Sequence, residues 1–134
     1  AGHAGLFGTA NDLAILMQMN LQEGYYGGQH YFPSGAVKMF AQRPYNDSRR
    51  GLGWDKPEHF HDGGPTAPEA SLSSFGHLGF TGTSVWADPK YDLVYIFLSN
   101  RVHPSARNTK LLTEGIRTKI QSVIYQAMPD YQGR

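Results

Sequence analysis

The 134-residue sequence predicts an α+β fold, in which antiparallel sheet strands are backed by a long C-terminal helix. Three observations support this fold class: a capping-box sequence near the N-terminus, two strand-like segments joined by a turn, and apolar residues at helical spacing near the C-terminus. One of the two strands is entirely apolar. Such a strand is usually covered on both faces, so a layer of helix is expected over the sheet.

The first helix is predicted to begin at Thr9. Thr9 and Asp12 have the spacing of a capping box, in which each side chain accepts a hydrogen bond from the backbone amide of the other residue. Apolar residues then recur at helical spacing, at Leu13, Leu16, Met17 and Leu21. Gly24 is expected to end this helix, and a second, shorter helix is expected over residues 35–41.

The middle of the chain, residues 42–83, is predicted to be mostly ordered loop. Eleven of these 42 residues are Gly or Pro, and both residue types interrupt regular structure. Within this region only residues 51–54 look like the start of a strand.

The C-terminal part of the chain is predicted to form a β-hairpin followed by a helix. Residues 84–87 and 93–98 are the strand candidates, and residues 88–92 supply the Asp and Pro that favour a turn. The helix is indicated by apolar residues at helical spacing: Leu112, Ile116, Ile120, Val123, Ile124 and Ala127. Pro129 is expected to end it.

Composition and charge exclude several classes of function. Twelve Lys and Arg residues stand against eleven Asp and Glu residues, so the net charge of +1 provides no attraction for nucleic acid. The longest apolar run, 93–98, has six residues, whereas a membrane span needs about 20. No charged segment followed by an apolar stretch is visible at the N-terminus, so no signal peptide is predicted. Because the sequence contains no cysteine, a thiolate nucleophile is excluded.

A metal site at His59, His61 and Asp62 is one hypothesis that the sequence offers. Two imidazoles and a carboxylate are suitable metal ligands. The spacing of two residues within a loop, without a further ligand in the sequence, favours solvated histidines instead. We therefore predict neither a metal nor another cofactor.

The glycine-rich segment 74–83 surrounds a different histidine, His77. Glycine weakens a strand unless another group must approach the backbone closely. The segment could therefore be a strand edge that presents its amides to a ligand, with the imidazole beside it, as in an oxyanion hole. It could also be a glycine-rich turn that leads into the hairpin, and the residues alone favour the turn.

Longer stretches of the sequence resemble a known family. Residues 75–89, FGHLGFTGTSVWADP, resemble the third motif and the following hairpin of serine beta-lactamase-like hydrolases. This superfamily includes class C beta-lactamases, D-alanyl-D-alanine peptidases and related bacterial esterases. Residues 4–13 resemble the start of a helix in that family, and residues 93–100 resemble its next strand. The ending, residues 99–120, looks most like the serine-hydrolase domains that some bacteria attach to glycoside hydrolases.

The resemblance implies roles for five residues. His77 would occupy the Lys or His position of the motif and support the proton transfer between a tyrosine and the serine nucleophile. The backbone amide of Phe80 would be an oxyanion donor, and Gly79 would leave room for the acyl group. Leu78 stands where penicillin-recognising members have a threonine that binds the substrate carboxylate. Together with Thr81, Leu78 and Gly79 are the candidate substrate-binding residues, and the leucine favours an esterase or peptidase over a beta-lactamase.

Two motifs of the family are missing. No serine is followed by lysine three residues later, and Tyr-x-Asn does not occur. We therefore interpret the chain as a single partial domain, the C-terminal portion of a beta-lactamase-like domain, that is inactive alone. Its predicted segments are a helical part (1–41), the loop region (42–83) and the hairpin plus C-terminal helix (84–128). The alternative is a non-catalytic ligand-binding or interaction domain that retains the fold.

The resemblance also implies partners and location. The substrate of the parent enzyme would be a small-molecule ester, amide or peptide, and the location would be periplasmic or extracellular. A domain without its neighbouring strands exposes an open sheet edge and apolar surface, so self-association is expected.

Overall fold

The computed structural model describes residues 5–33, 35–59, 64–129 and 131. The elements in chain order are α1 (Ala10–Leu21), β1 (Tyr25–Tyr26), β2 (Gln29–His30), α2 (Ala36–Ala41), β3 (Phe75–Leu78), β4 (Ser84–Asp88), β5 (Leu93–Phe97), α3 (Lys110–Thr113) and α4 (Ile116–Gln126). Helices and antiparallel sheets are both present, which confirms the predicted α+β class. Among the described helices, none is long and apolar enough to cross a membrane.

The central sheet has the strand order β3–β4–β5, and both pairings are antiparallel. In this register His77 pairs with Val85, and Val85 pairs with Ile96. Paired residues point to the same face of a sheet, and successive residues point to opposite faces. His77, Val85 and Ile96 therefore share one face, while Trp86 and its partner Tyr95 lie on the other.

Helix α1 covers the face of the sheet that includes His77. Met17 of α1 is fully buried, and it belongs to one apolar cluster with Phe75 and Ala87 of the sheet. The predicted capping box is confirmed at the start of the helix. The Thr9 hydroxyl accepts a hydrogen bond from the Asp12 amide at 3.2 Å, and the Asp12 carboxylate accepts one from the Thr9 amide at 2.7 Å.

Helix α4 covers the opposite face, but it is shorter than the sequence predicted. The apolar repeat indicated one helix from Leu112 onward, whereas the structure has two helices separated by Gly115. Gly115 has φ of +61°, in the left-handed region where a helix cannot continue. The Tyr95 hydroxyl donates a hydrogen bond to the Arg117 carbonyl at 2.9 Å, which fixes the start of α4 to the sheet.

The interpretation of residues 74–83 as a turn is wrong at 75–78, where β3 forms. The strand start expected at 51–54 is also wrong, because extended pairing there is limited to a single bridge between Asp55 and Gly76. Gly53 has φ of +84°, which interrupts an extended strand. Strands β1 and β2 were not predicted at all.

Asp88, at the end of β4, connects the sheet to α4 and to the loop before β3. Asp88 is 2% exposed, and its carboxylate accepts hydrogen bonds from the Tyr125 hydroxyl at 2.6 Å and from the Ser71 amide at 2.9 Å. Burial and the neighbouring Asp88 carboxylate raise the pKa of Tyr125, so its hydroxyl remains a donor.

We predict that Tyr125→Phe lowers the free energy of unfolding by about 2 kcal/mol, because a buried carboxylate loses a donor. Urea unfolding followed by circular dichroism measures this change. Tyr91→Phe is the matched control, since the Tyr91 ring packs edge-on against Tyr125 at 5.5 Å and its hydroxyl has no hydrogen-bond partner among the described residues. Equal losses in the two variants would contradict this role of the Tyr125 hydroxyl.

Candidate active site

A cavity of about 560 Å³ lies where the C-terminal end of β3 faces the start of α1. Three of the predicted site residues, His77, Leu78 and Gly79, line this cavity. Phe80 and Thr81 are not among its lining residues. The remaining walls come from the start of α1, from β4 and from the end of β5: Leu6, Phe7, Gly8, Asp12, Leu13, Leu16, Thr83, Ser84, Val85 and Leu98.

The His77 side chain is exposed, and one of its nitrogens has a defined partner. Nδ1 lies 2.9 Å from the carbonyl oxygen of Leu78. A carbonyl oxygen only accepts hydrogen bonds, so Nδ1 is the donor and carries the proton. In the neutral ring Nε2 is then the basic nitrogen, and it makes no hydrogen bond within the described part of the chain. This arrangement leaves Nε2 able to accept and return a proton.

The residues after β3 form a tight turn around Gly79. The Gly79 amide donates to the Thr83 carbonyl at 2.8 Å, and the Gly82 amide donates to the Gly79 carbonyl at 3.0 Å. A Cβ atom at residue 79 would collide with Oγ1 of Thr83, so only glycine fits without a shift. Gly82 has φ of +103°, which glycine adopts at little cost. The turn therefore has one closely defined shape.

Phe80 lies at the tip of this turn, and Arg101 packs on its ring. Phe80 is 75% exposed, and the guanidinium carbon of Arg101 is 4.6 Å from the ring centroid. The Arg101 amide donates to the Thr81 carbonyl at 2.8 Å. The amide of Phe80 itself has no acceptor among residues 5–33, 35–59, 64–129 and 131, so it is available to a ligand.

Leu78 contributes to two cavities. Besides the cavity that includes His77, it lines a second one of about 250 Å³ together with Leu111 and Leu112. Its pairing with Ser84 places it on the face of the sheet opposite His77. Its aliphatic side chain offers no hydrogen bond at either place.

The histidine group of the metal-site hypothesis lies only partly within the described residues. His61 and Asp62 lie outside the described residues. The His59 imidazole is in hydrogen-bond contact with the Arg43 guanidinium. Within the described ranges no three His, Asp or Glu side chains form a group suited to a metal.

Arg101 is a site residue that the sequence analysis missed. It follows β5 and reaches Phe80 across twenty positions of the chain, and no local pattern indicates such a contact. Leu6, Phe7 and the α1 residues that wall the cavity were also not predicted. The register of β3 against β4 and the packing of α1 bring them together, and neither is visible in the sequence.

Comparisons with known proteins agree with this fold. A model of the family described as Beta-lactamase matches residues 1–115. The chain is 36% identical over 111 residues to proteins named "Putative D-alanyl-D-alanine carboxypeptidase" from Salmonella typhi, Salmonella paratyphi B and Salmonella newport. The matched region covers 83% of this chain and 26% of each relative, so the chain spans about a quarter of the length of these curated relatives.

These matches place the chain in the superfamily of serine hydrolases that contains beta-lactamases and penicillin-binding proteins. Within it, the chain belongs to the beta-lactamase family. The resemblance seen in the sequence is thereby confirmed.

We predict that Gly79→Ala destabilises the chain by about 1–3 kcal/mol, since the added methyl group collides with the Thr83 hydroxyl. The double variant Gly79→Ala/Thr83→Ala should recover most of this loss, because the colliding oxygen is removed. Thermal unfolding of both variants and of Thr83→Ala alone gives the coupling between the two positions. Additive effects would contradict the close packing of this turn.

Proposed function

We propose that this chain contributes the His-x-Gly wall of an acyl-enzyme active site, in a serine hydrolase whose nucleophile lies in another part of the protein. The proposal rests on one observation: the unpaired Phe80 amide is held at the tip of a defined turn, three residues after an imidazole with a free Nε2. An amide donor and a proton-accepting group at one strand end are what acyl transfer requires.

The proposed chemistry assigns separate tasks to these groups. When a serine attacks an ester or amide carbonyl, the carbonyl oxygen becomes an oxyanion and needs hydrogen-bond donors. The Phe80 amide supplies one donor, and the amide of the serine itself supplies the other. His77 either accepts a proton at Nε2 or supports a tyrosine that accepts the proton from the serine. Gly79 leaves space for the acyl group against the strand.

The side chains around the cavity favour a substrate with an apolar acyl part. Leu13, Leu16 and Leu98 line its wall, and apolar groups gain free energy when they leave water together. Leu78 supplies no hydroxyl for a substrate carboxylate. We therefore propose a neutral ester or amide as the substrate class. Among amides, the names of the relatives support a peptide.

A second candidate function is a non-catalytic domain that binds a ligand or another protein. It is favoured by the lack of Ser-x-x-Lys in the chain and by the exposed apolar residues at the cavity. Leu6 and Phe7 are 76% and 100% exposed, which also supports the proposed self-association of this chain. A covalent adduct in the longer parent protein would exclude the non-catalytic function.

We predict that the 134-residue chain forms no covalent adduct with a fluorophosphonate or a labelled penicillin, since it has no serine with an activating lysine at the family spacing. Intact mass spectrometry measures the adduct. A form of the protein that includes Ser-x-x-Lys and Tyr-x-Asn segments is the positive control. A stoichiometric adduct on a serine of the chain alone would be the opposite result.

In an active form of the protein, we predict that His77→Ala lowers kcat by about 10²–10³-fold and changes KM far less, as expected for a group that acts in the transition state. Steady-state hydrolysis of a neutral chromogenic ester measures both constants. His30→Ala is the control, because His30 is an exposed strand histidine outside the cavity. Full activity of His77→Ala would show that the histidine has no part in the reaction.

A further inference from the structure

A separate cavity of about 460 Å³ lies near the other end of β3. It shares no lining residue with the cavity that includes His77. Its apolar wall comes from the end of α1, from α2, from the loop before β3 and from the first residue of β3: Leu21, Val37, Ala41, Leu72 and Phe75. A ligand with an apolar body fits such a wall, and burial of its surface drives binding.

Besides Lys38, two cations line the same cavity, Arg43 and Lys56, and neither forms a salt bridge within the described structure. Lys56 is 5% exposed, and its ammonium group donates to the carbonyls of Ser73 at 3.2 Å and Ser74 at 2.9 Å. The Arg43 guanidinium is hydrogen-bonded to the Pro57 carbonyl and the His59 ring. Both groups are therefore hydrogen-bonded only to carbonyl oxygens and to one imidazole, and the Glu58 carboxylate acts on Arg43 through its charge without a hydrogen bond.

The charge around this cavity is unbalanced. Burial and the positive charge of Arg43 lower the pKa of Lys56 to about 8, while Asp88 opposes this change. The Nε atom of Arg43 is buried and has no hydrogen-bond partner among the described residues. Lys38 is paired with Glu23 at 2.6 Å and adds no net charge. An anion would relieve the repulsion between the two cations and bind charge-assisted donors.

We propose that this cavity binds an amphipathic carboxylate. The carboxylate lies at Arg43 and Lys56, and the apolar chain packs against the wall formed by α1 and α2. A neutral apolar ligand would leave the buried Lys56 ammonium and the half-buried Arg43 guanidinium without a hydrogen-bonded anion, which is costly. A small inorganic anion would leave the apolar wall in water. The proposal is independent of the hydrolase function, because it involves none of the residues assigned to acyl transfer.

Isothermal titration of the 134-residue chain with decanoate, below its micelle concentration, tests the proposal. We expect one molecule of decanoate to bind to each protein chain. Decanol has the same tail without the charge, and acetate has the charge without the tail. Each should bind at least about tenfold more weakly than decanoate, which corresponds to about 1.4 kcal/mol. Equal binding of decanoate and decanol, or no binding of decanoate, would overturn the proposal.

Two variants test the assigned cations. Arg43→Gln and Lys56→Gln should each weaken decanoate binding by about tenfold or more and leave decanol binding unchanged. Lys119→Gln is the matched control, because Lys119 is an exposed cation on α4 and does not line this cavity. Unchanged binding in a folded Arg43→Gln variant would overturn the assignment.

The location of binding is tested in the unmodified chain, so the result does not depend on how the variants fold. Decanoate should shift the amide resonances of Ser73, Ser74 and Arg43 in nuclear magnetic resonance spectra. Shifts confined to His77 and Gly79 would place the ligand in the other cavity and contradict the proposal.

Discussion

The close contact between β3 and β4 at Gly76 is the constraint on which the rest of the structure depends. A Cβ atom at this position would collide with the Val85 carbonyl and lie 2.6 Å from the Trp86 ring. Only glycine therefore allows the strands to approach with Trp86 beneath them. The pairing fixes the register, and a shift by one residue would move His77 to the face covered by α4. The position of the imidazole is thus decided by a residue without a side chain.

The two faces of the sheet differ in the contacts that they make. On the face of α4, the hydrogen bonds of Tyr95 and Asp88 hold the helix and the loop before β3 in place. On the face of α1, the apolar cluster around Met17 and Phe75 supplies lining residues to both cavities, Phe75 to one and Val85 to the other. One face is therefore held by buried hydrogen bonds, while both cavities open on the other, an arrangement that is common for sites built on a scaffold of strands and helices.

Local signals in the sequence predicted the parts of the fold that depend on local contacts. The capping box at Thr9 and the turn between β4 and β5 involve residues a few positions apart, so their patterns are readable. The Gly27–Gly28 pair of the β1–β2 hairpin is also a local signal, since glycine readily adopts the positive φ that both residues have. The break at Gly115 was hidden because the apolar repeat continues through it.

The candidate site was predictable only in part. The resemblance to the beta-lactamase family indicated His77, Leu78 and Gly79, and these three residues do line one cavity. Arg101 and the pair of cations at Arg43 and Lys56 could not be predicted. Their arrangement depends on contacts between distant segments, and a lone arginine or lysine in a loop normally indicates no more than solvent exposure.

The stacking of Arg101 on Phe80 has a consequence for divergence among related enzymes. The turn that presents the Phe80 amide is held by a residue beyond β5, through the ring contact and the hydrogen bond to the Thr81 carbonyl. The geometry of the amide therefore varies with a segment that no motif marks. Under the proposed function, two relatives with identical His-x-Gly sequences would differ in turnover where one lacks this distant support, and sorting them by motif alone would group them wrongly.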